Sequence, residues 1–324
     1  MIIDTHNHVM PEQAIDVLRS DSSFGVRIDG DQWSGAHHVP FRIDPSFYDP
    51  PAKIAALDNA TIDAAVLSVA PTLFFYEVSS DAAAEICDAS NTGMVKICEH
   101  APDRLRWLAN LPIQDPGRAA AMYREAVAAG CVGASLGTSV AGRRLDHPEF
   151  EEFWAVAAEL GRPVLIHPAF NEPHGALSDF YLQNVIGNPL ETTLMVERMI
   201  CAGVLERHPK LRLLLLHGGG FFPYQAGRLR HGRRVRPELA GTPTDILGAV
   251  SQLYFDSLTH DPLSLAFLVK WAGYGHVVLG TDFPFDMSAV DPVGAIREAL
   301  GEEGLAEVAS RAPAALFGVT EWQS

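Results

Sequence analysis

With 324 residues, 48% hydrophobic and 20% charged, the chain is long enough to bury one barrel-sized core or two ordinary ones. Its 40 acidic and 24 basic side chains give a formal charge of −16, which opposes binding to nucleic acid or anionic lipid but leaves a local arginine cluster free to receive a small anion. No run approaches the ~20 apolar residues of a membrane span, no basic leader precedes the first apolar run, and Cys87, Cys98, Cys131 and Cys201 lack CxxC spacing, so a cytoplasmic chain with reduced thiols is expected.

Short apolar runs recur at 2–5, 64–69, 105–111, 131–136, 163–167, 211–217, 252–256 and 276–282. Most are nearly continuous in apolar residues, which predicts strands buried on both faces, as in a parallel sheet with helices outside it. Helical periodicity marks 52–60, 81–100, 117–129, 149–160, 192–205, 263–272 and 293–300, and a closing helix is expected over 303–317. Asp49-Pro50, Asp115-Pro116, Asp261-Pro262 and Asp291-Pro292 each precede a helical stretch. Aspartate can cap the free N–H groups there, and proline suits the first helical position. The alternation is that of an α/β (β/α)8 barrel, with residues 1–324 forming one domain.

Two connections, roughly 9–50 and 168–191, exceed the ~2–6 residues usual for a βα loop. Each follows histidines and carries aromatic rings, including Phe24, Trp33, Phe41, Phe47 and Tyr48 in the first, and Phe170, Phe180 and Tyr181 in the second. A lid-like insertion is expected at 9–50.

The polar residues that break the apolar runs fall at their C-terminal ends: His6 and His8, His167, His217, and Asp282. In an extended strand His6 and His8 share a face. In a parallel barrel all these ends converge on one rim, so five potential ligands meet in one pocket. The run Gly218-Gly219-Gly220 after His217 serves either close approach of backbone to a ligand or an ordinary turn.

The ordered set of HxH, strand-five His-Pro, strand-six His-Gly-Gly-Gly and final Gly-Thr-Asp-Phe-Pro resembles the amidohydrolase superfamily. The resemblance is closest to the branch containing 2-amino-3-carboxymuconate-6-semialdehyde decarboxylase and related non-oxidative decarboxylases, and it spans nearly the whole chain. It implies a distorted barrel of the metal-dependent hydrolase type, with insertions after strands 1 and 5. The implied ligands are His6, His8, His167 and Asp282, around one divalent ion, Zn2+ or alternatively Mn2+, with no organic cofactor. The 131–136 run has no lysine, which binuclear members use to bridge two metals. Catalytic roles fall on His217 and Asp282, His217 moving a proton or else acting as a fifth ligand or packing residue.

The resemblance further implies a small-molecule carboxylate substrate gripped by Arg42 and Arg228, the latter reaching across a homodimer interface; each alone would read as a solvated surface charge. Phe170 and Phe285 either sandwich the substrate or pack the core. Where the resembled decarboxylase has a tryptophan-rich segment, this chain reads Phe180-Tyr181-Leu182-Gln183-Asn184, and Pro168-Ala169-Phe170 replaces a Pro-Trp pair. The expected reaction is decarboxylation of a carboxylated conjugated or aromatic molecule. Hydrolysis of a C–C, ester, lactone or amide bond, or hydration, is the alternative.

Overall fold

The computed structural model describes residues 1–35, 38–169 and 175–318. Eight strands run β1 (Ile3–Val9), β2 (Ala64–Val69), β3 (Leu105–Asn110), β4 (Gly133–Gly137), β5 (Val164–His167), β6 (Leu213–Leu215), β7 (Leu253–Asp256) and β8 (Val277–Val278). Each pairs in parallel with the next in chain order. Main-chain bonds from Thr5 N to Leu279 O (2.9 Å) and from His8 N to Phe283 O (2.7 Å) bring the end of this sheet back to its start, giving a nearly closed barrel.

The continuous apolar runs reflect two separate cores. Ile3, Val66, Leu108, Leu165, Leu214 and Val278 fill the barrel interior. Their neighbours Leu67, Ala109, Ala134, Ile166, Leu215, Phe255 and Val277 face the helical layer. Successive side chains alternate between the two, so neither face of a strand meets water. Ala312, Leu316 and Phe317 of the last helix (Ala312–Phe317) join the interior cluster and plug one end of the barrel.

All four Asp-Pro signals start helices. Asp49, Asp115, Asp261 and Asp291 accept from the main-chain N–H of Ala52 (3.1 Å), Arg118 (3.1 Å), Ser264 (2.7 Å) and Gly294 (2.8 Å), with proline in the first turn each time. Each cap stabilises its helix by about 1 kcal/mol. Two helices lie outside the expected set. Glu12–Ser20 buries Ala14, Ile15 and Leu18 within the first long connection. Phe222–Val235 buries only Phe222, Pro223 and Ala226, all at its start, and so carries no sustained apolar stripe. The 192–205 stretch starts earlier and breaks at Gly203 (φ 72°), giving Asn188–Cys201 and Val204–Arg207.

The rest of the first insertion is an antiparallel sheet of Val26–Asp29, Gln32–Gly35 and His38–Arg42, with Trp33 fully buried and stacked on Phe41 at 5.8 Å between centroids. In the second, Phe180 and Tyr181 are exposed with φ of 56° and 60°, followed by a π turn at Gln183–Gly187.

Candidate metal centre

The strand ends do converge. His6 Nε2 and His8 Nε2 lie 3.0 Å apart. Asp282 Oδ1 is 3.1 Å from the first and 3.0 Å from the second, and His167 Nε2 is 3.8 Å from the same oxygen. One donor atom from each of these four buried residues lies within 4.8 Å of the others.

The opposite ring nitrogens define the tautomers. His6 Nδ1 donates to Asp256 Oδ2 (2.7 Å), His8 Nδ1 to Val69 O (3.1 Å) and His167 Nδ1 to Pro168 O (2.5 Å). A neutral imidazole carries one N–H, so all three Nε2 atoms turn lone pairs toward one point beside a carboxylate. Buried His167 Nε2 has no hydrogen-bond partner among the described residues. In their neutral forms the three rings bring lone pairs to one point, and a cation there is the physical complement. Three imidazole nitrogens and one carboxylate are a donor set for a single ion such as zinc, and β4 supplies no lysine for a second.

The proton equilibria agree. Burial drives His8 down to about 4 and His167 down to about 3. On His6 burial also opposes charge, but the carboxylates of Asp282 and Asp256 outweigh it and raise the pKa to about 10. Burial likewise opposes charge on Asp282, yet the imidazoles, His6 foremost, hold its carboxyl well below the ordinary range. The carboxylates call for positive charge while two of the three imidazoles refuse a proton, and a metal ion satisfies both.

His217 stands beside this group. Its Nε2 is 3.7 Å from Asp282 Oδ2, the oxygen turned away from His6 and His8, and its buried Nδ1 has no hydrogen-bond partner among the described residues. The backbone there is unusual, with left-handed φ at His217 (54°), Gly218 (64°), Gly219 (76°) and Gly220 (63°). A Cβ would lie 2.5 Å from the Phe255 ring at Gly219 and 2.2 Å from Pro189 O at Gly220. The glycine run therefore lets the turn pack against protein.

Three further buried residues brace the centre. Asp4 accepts from His6 N (3.0 Å), Asn7 Nδ2 (2.8 Å) and Thr281 Oγ1 (2.6 Å), tying β1 to the segment that carries Asp282. Lys53 Nζ donates to Asn7 Oδ1 (2.7 Å) and His8 O (2.8 Å). Asp256, which holds His6, was within reach of the strand-end rule because it closes β7 as His167 closes β5. Lys53 gave no signal, since a lysine in a helix reads as a solvated charge.

Phe285 is partly buried, its ring 5.2 Å from those of His8 and Phe47, on the wall of the centre. Arg42 lies on the last strand of the insertion sheet, its side chain 73% exposed and its Nε donating to Asp31 Oδ2 at 2.5 Å. Arg228 is exposed on the Phe222–Val235 helix. Neither arginine touches the histidine cluster among the described residues. Phe170 lies outside the described residues. The cysteines are unpaired, and burial pushes the Cys98 and Cys131 thiols up to about 12 and Cys87 higher still, which leaves them unreactive.

Comparison with known proteins places this geometry. The amidohydrolase family model matches residues 3–319. The chain is 30% identical over 315 residues to 2-amino-3-carboxymuconate-6-semialdehyde decarboxylase of Dictyostelium discoideum, covering 93% of this chain and 86% of that one. Among solved structures it is similar to 5-carboxyvanillate decarboxylase LigW from Sphingomonas paucimobilis, with a TM-score of 0.84, 21% identity and 99% of each chain covered. It is also similar to a dihydroxybenzoic acid decarboxylase from Polaromonas sp. JS666 with bound manganese and the inhibitor 2-nitroresorcinol, with a TM-score of 0.80, 20% identity, and 99% of this chain and 97% of that one covered. At such identities the two structures speak for the barrel fold.

Proposed function

The chain belongs to the amidohydrolase family, and on that premise we propose that it is a mononuclear-metal, non-oxidative decarboxylase of a carboxylated conjugated or aromatic small molecule. The observation that carries this reading is the convergence of three Nε2 lone pairs and the Asp282 carboxylate, with a further histidine beside them and no second-metal lysine. A relative 30% identical over most of the chain is named as a decarboxylase, which favours lyase chemistry over hydrolysis.

His6, His8, His167 and Asp282 would hold the ion, which we assign as zinc from its nitrogen-rich donors, with manganese, found in a structural neighbour, as the alternative. When bound, the ion supplies Lewis acidity to oxygen atoms of the substrate. His217 delivers a proton through Nε2 to the carbon that bears the departing carboxylate. The C–C bond then breaks, its electron pair stays with the protonated carbon, and CO2 leaves. Asp282 Oδ2 faces His217 Nε2 and orients it. The Phe285 ring supports the flat substrate beside His8.

Arg42 and Arg228 grip substrate carboxylates, and the partner of a homodimer supplies Arg228. The supporting observation is an exposed apolar patch beside Arg228: Tyr224 is 79% and Leu263 81% exposed, and the Tyr224 ring contacts that of Phe267. Unpaired cysteines suit a reducing compartment, which we take to be the cytoplasm. No described helix is long and apolar enough to cross a membrane.

The test is CO2 release from muconate semialdehydes and hydroxybenzoates by zinc-loaded and manganese-loaded protein, with product masses recorded. Loss of CO2 from one of these compounds is expected. Uptake of water without CO2, across substrates that do turn over, overturns the reading in favour of hydrolysis or hydration.

A further inference from the structure

Asp256 is fully buried at the end of β7, and its two oxygens serve different elements. Oδ2 accepts the Nδ1 proton of His6 at 2.7 Å. Oδ1 accepts two main-chain donors, Gly218 N at 2.7 Å and Leu258 N at 3.3 Å. Gly218 directly follows His217, whose left-handed φ of 54° is strained for a non-glycine residue and persists where neighbours enforce it. The place where His6 and Asp256 cross is tight. A Cβ on Gly280 would come within 2.7 Å of Asp256 Cβ and 2.8 Å of His6 Cβ, so glycine keeps the two side chains in register.

We propose that Asp256 is a positioning residue that couples the two halves of the centre: one oxygen fixes the His6 tautomer so that Nε2 faces the ion, and the other anchors the turn that carries His217. The inference rests on reading the four-residue cluster as a metal site, and is independent of the reaction assigned to it. The coupling matters because β1 and β6 lie apart in the barrel order and share no main-chain bonds. A single carboxylate on β7 gives the ligand and the proton-carrying residue a common reference.

The asymmetry of the two oxygens makes Asp256→Asn diagnostic. Two N–H donors converge on the Oδ1 side, so the amide oxygen must take that place and the NH2 group must face His6. His6 Nδ1 can then only accept, which moves the ring proton to Nε2 and blocks the lone pair needed by a metal. Asp256→Ala removes both bonds.

Wild-type protein, D256N and D256A, each stripped with a chelator, are titrated with zinc against a chromogenic chelator. Amide exchange of a peptide spanning 213–222 is followed by mass spectrometry. D256N is expected to bind zinc about 10–100-fold more weakly with wild-type exchange in that peptide. D256A is expected to bind as weakly and to exchange several-fold faster there. Zinc affinity in D256N equal to wild type overturns the tautomer half of the proposal, and wild-type exchange in D256A overturns the anchoring half. If D256A does not fold, D256N still decides the tautomer half, because general loosening would raise exchange and weaken zinc binding together. Asp256→Ser, too short to reach either partner, then takes the place of D256A in the exchange test of the anchoring half. Wild-type protein that takes up neither zinc nor manganese is a separate outcome: it removes the metal reading itself, and this inference with it.

Discussion

His217 Nε2 lies 3.7 Å from Asp282 Oδ2, while His6 and His8 meet Oδ1 of the same carboxylate at 3.1 and 3.0 Å. Asp282 therefore divides its oxygens between His6 and His8 on one side and His217, the proposed proton carrier, on the other. Its own left-handed φ of 62° aims it into the rim. Substituting His217 with Asn, a residue that tolerates left-handed φ, preserves the turn while deleting the imidazole. His217→Asn should lower kcat by roughly 10²–10⁴-fold and leave the metal content unchanged by elemental analysis. Undiminished turnover in this variant would remove His217 from the chemistry.

How much of this was legible in the sequence follows from where each signal resides. His6, His8, His167 and Asp282 were readable because each interrupts an otherwise apolar run, and the parallel barrel brings such interruptions to one rim. The Asp-Pro caps were readable because capping is local. Lys53 was not: its role depends on a tertiary contact with Asn7 and His8, 45 or more residues away. Neither was the sheet at Val26–Arg42, whose strands are short and fold around one buried ring, Trp33, rather than a periodic stripe. Helix Phe222–Val235 stayed hidden because its arginines erase the amphipathic pattern.

Stripping the ion should be felt in both stability and activity. Without a cation, the lone pairs of His8 and His167, a protonated His6 and a carboxylate are confined together inside the barrel, so binding is coupled to folding. Free metal at 100 times its dissociation constant adds about 2.7 kcal/mol to stability. A chelator should therefore lower Tm by several degrees and abolish turnover, and zinc or manganese should restore both. Identical melting curves with and without chelator would contradict a tightly held ion.

The stripped protein should show an unusual stability profile with pH. Below 6.5 the unfolded chain protonates its histidines, whereas burial keeps His8 neutral to about 4 and His167 to about 3. Stability should then fall as pH drops from 6.5 toward 4, by on the order of 3 kcal/mol from His8 alone. Between 6.5 and about 8, below the range in which cysteines of the unfolded chain ionise, two groups oppose each other. His6, raised to about 10, contributes stability that is complete below 6.5 and lost as pH climbs to 10. Lys53, lowered by burial to about 7 despite Asp4 and Asp44, is neutral in the fold while the unfolded chain stays protonated to 10.5, so it favours folding increasingly as pH rises from 7. The urea midpoint should climb from pH 4 to 6.5 and level off between 7 and about 8. Lys53→Met should lower the midpoint and expose the His6 slope, making stability decline from pH 7 to about 8, before cysteines ionise. A flat profile in that variant would contradict the raised pKa of His6.

Whether Arg228 acts across a dimer can be settled by mixing two inactive proteins. Arg228 is exposed on a helix that also presents Tyr224, 79% exposed, and the neighbouring helix adds Leu263 and Phe267. A second copy seated on that patch would cover the apolar rings and carry its own Arg228 toward this chain's centre. If so, His217→Asn and Arg228→Ala fail for different reasons. Co-refolding them should produce heterodimers in which one site joins an intact His217 with the Arg228 of its partner, while the other site lacks both. Random pairing makes half the dimers mixed, so about a quarter of all sites should be competent. Light scattering should report a dimer, and activity should reappear on mixing to about a quarter of the wild-type value per site. An arginine acting within its own subunit restores nothing, and that result would return Arg228 to the solvated surface.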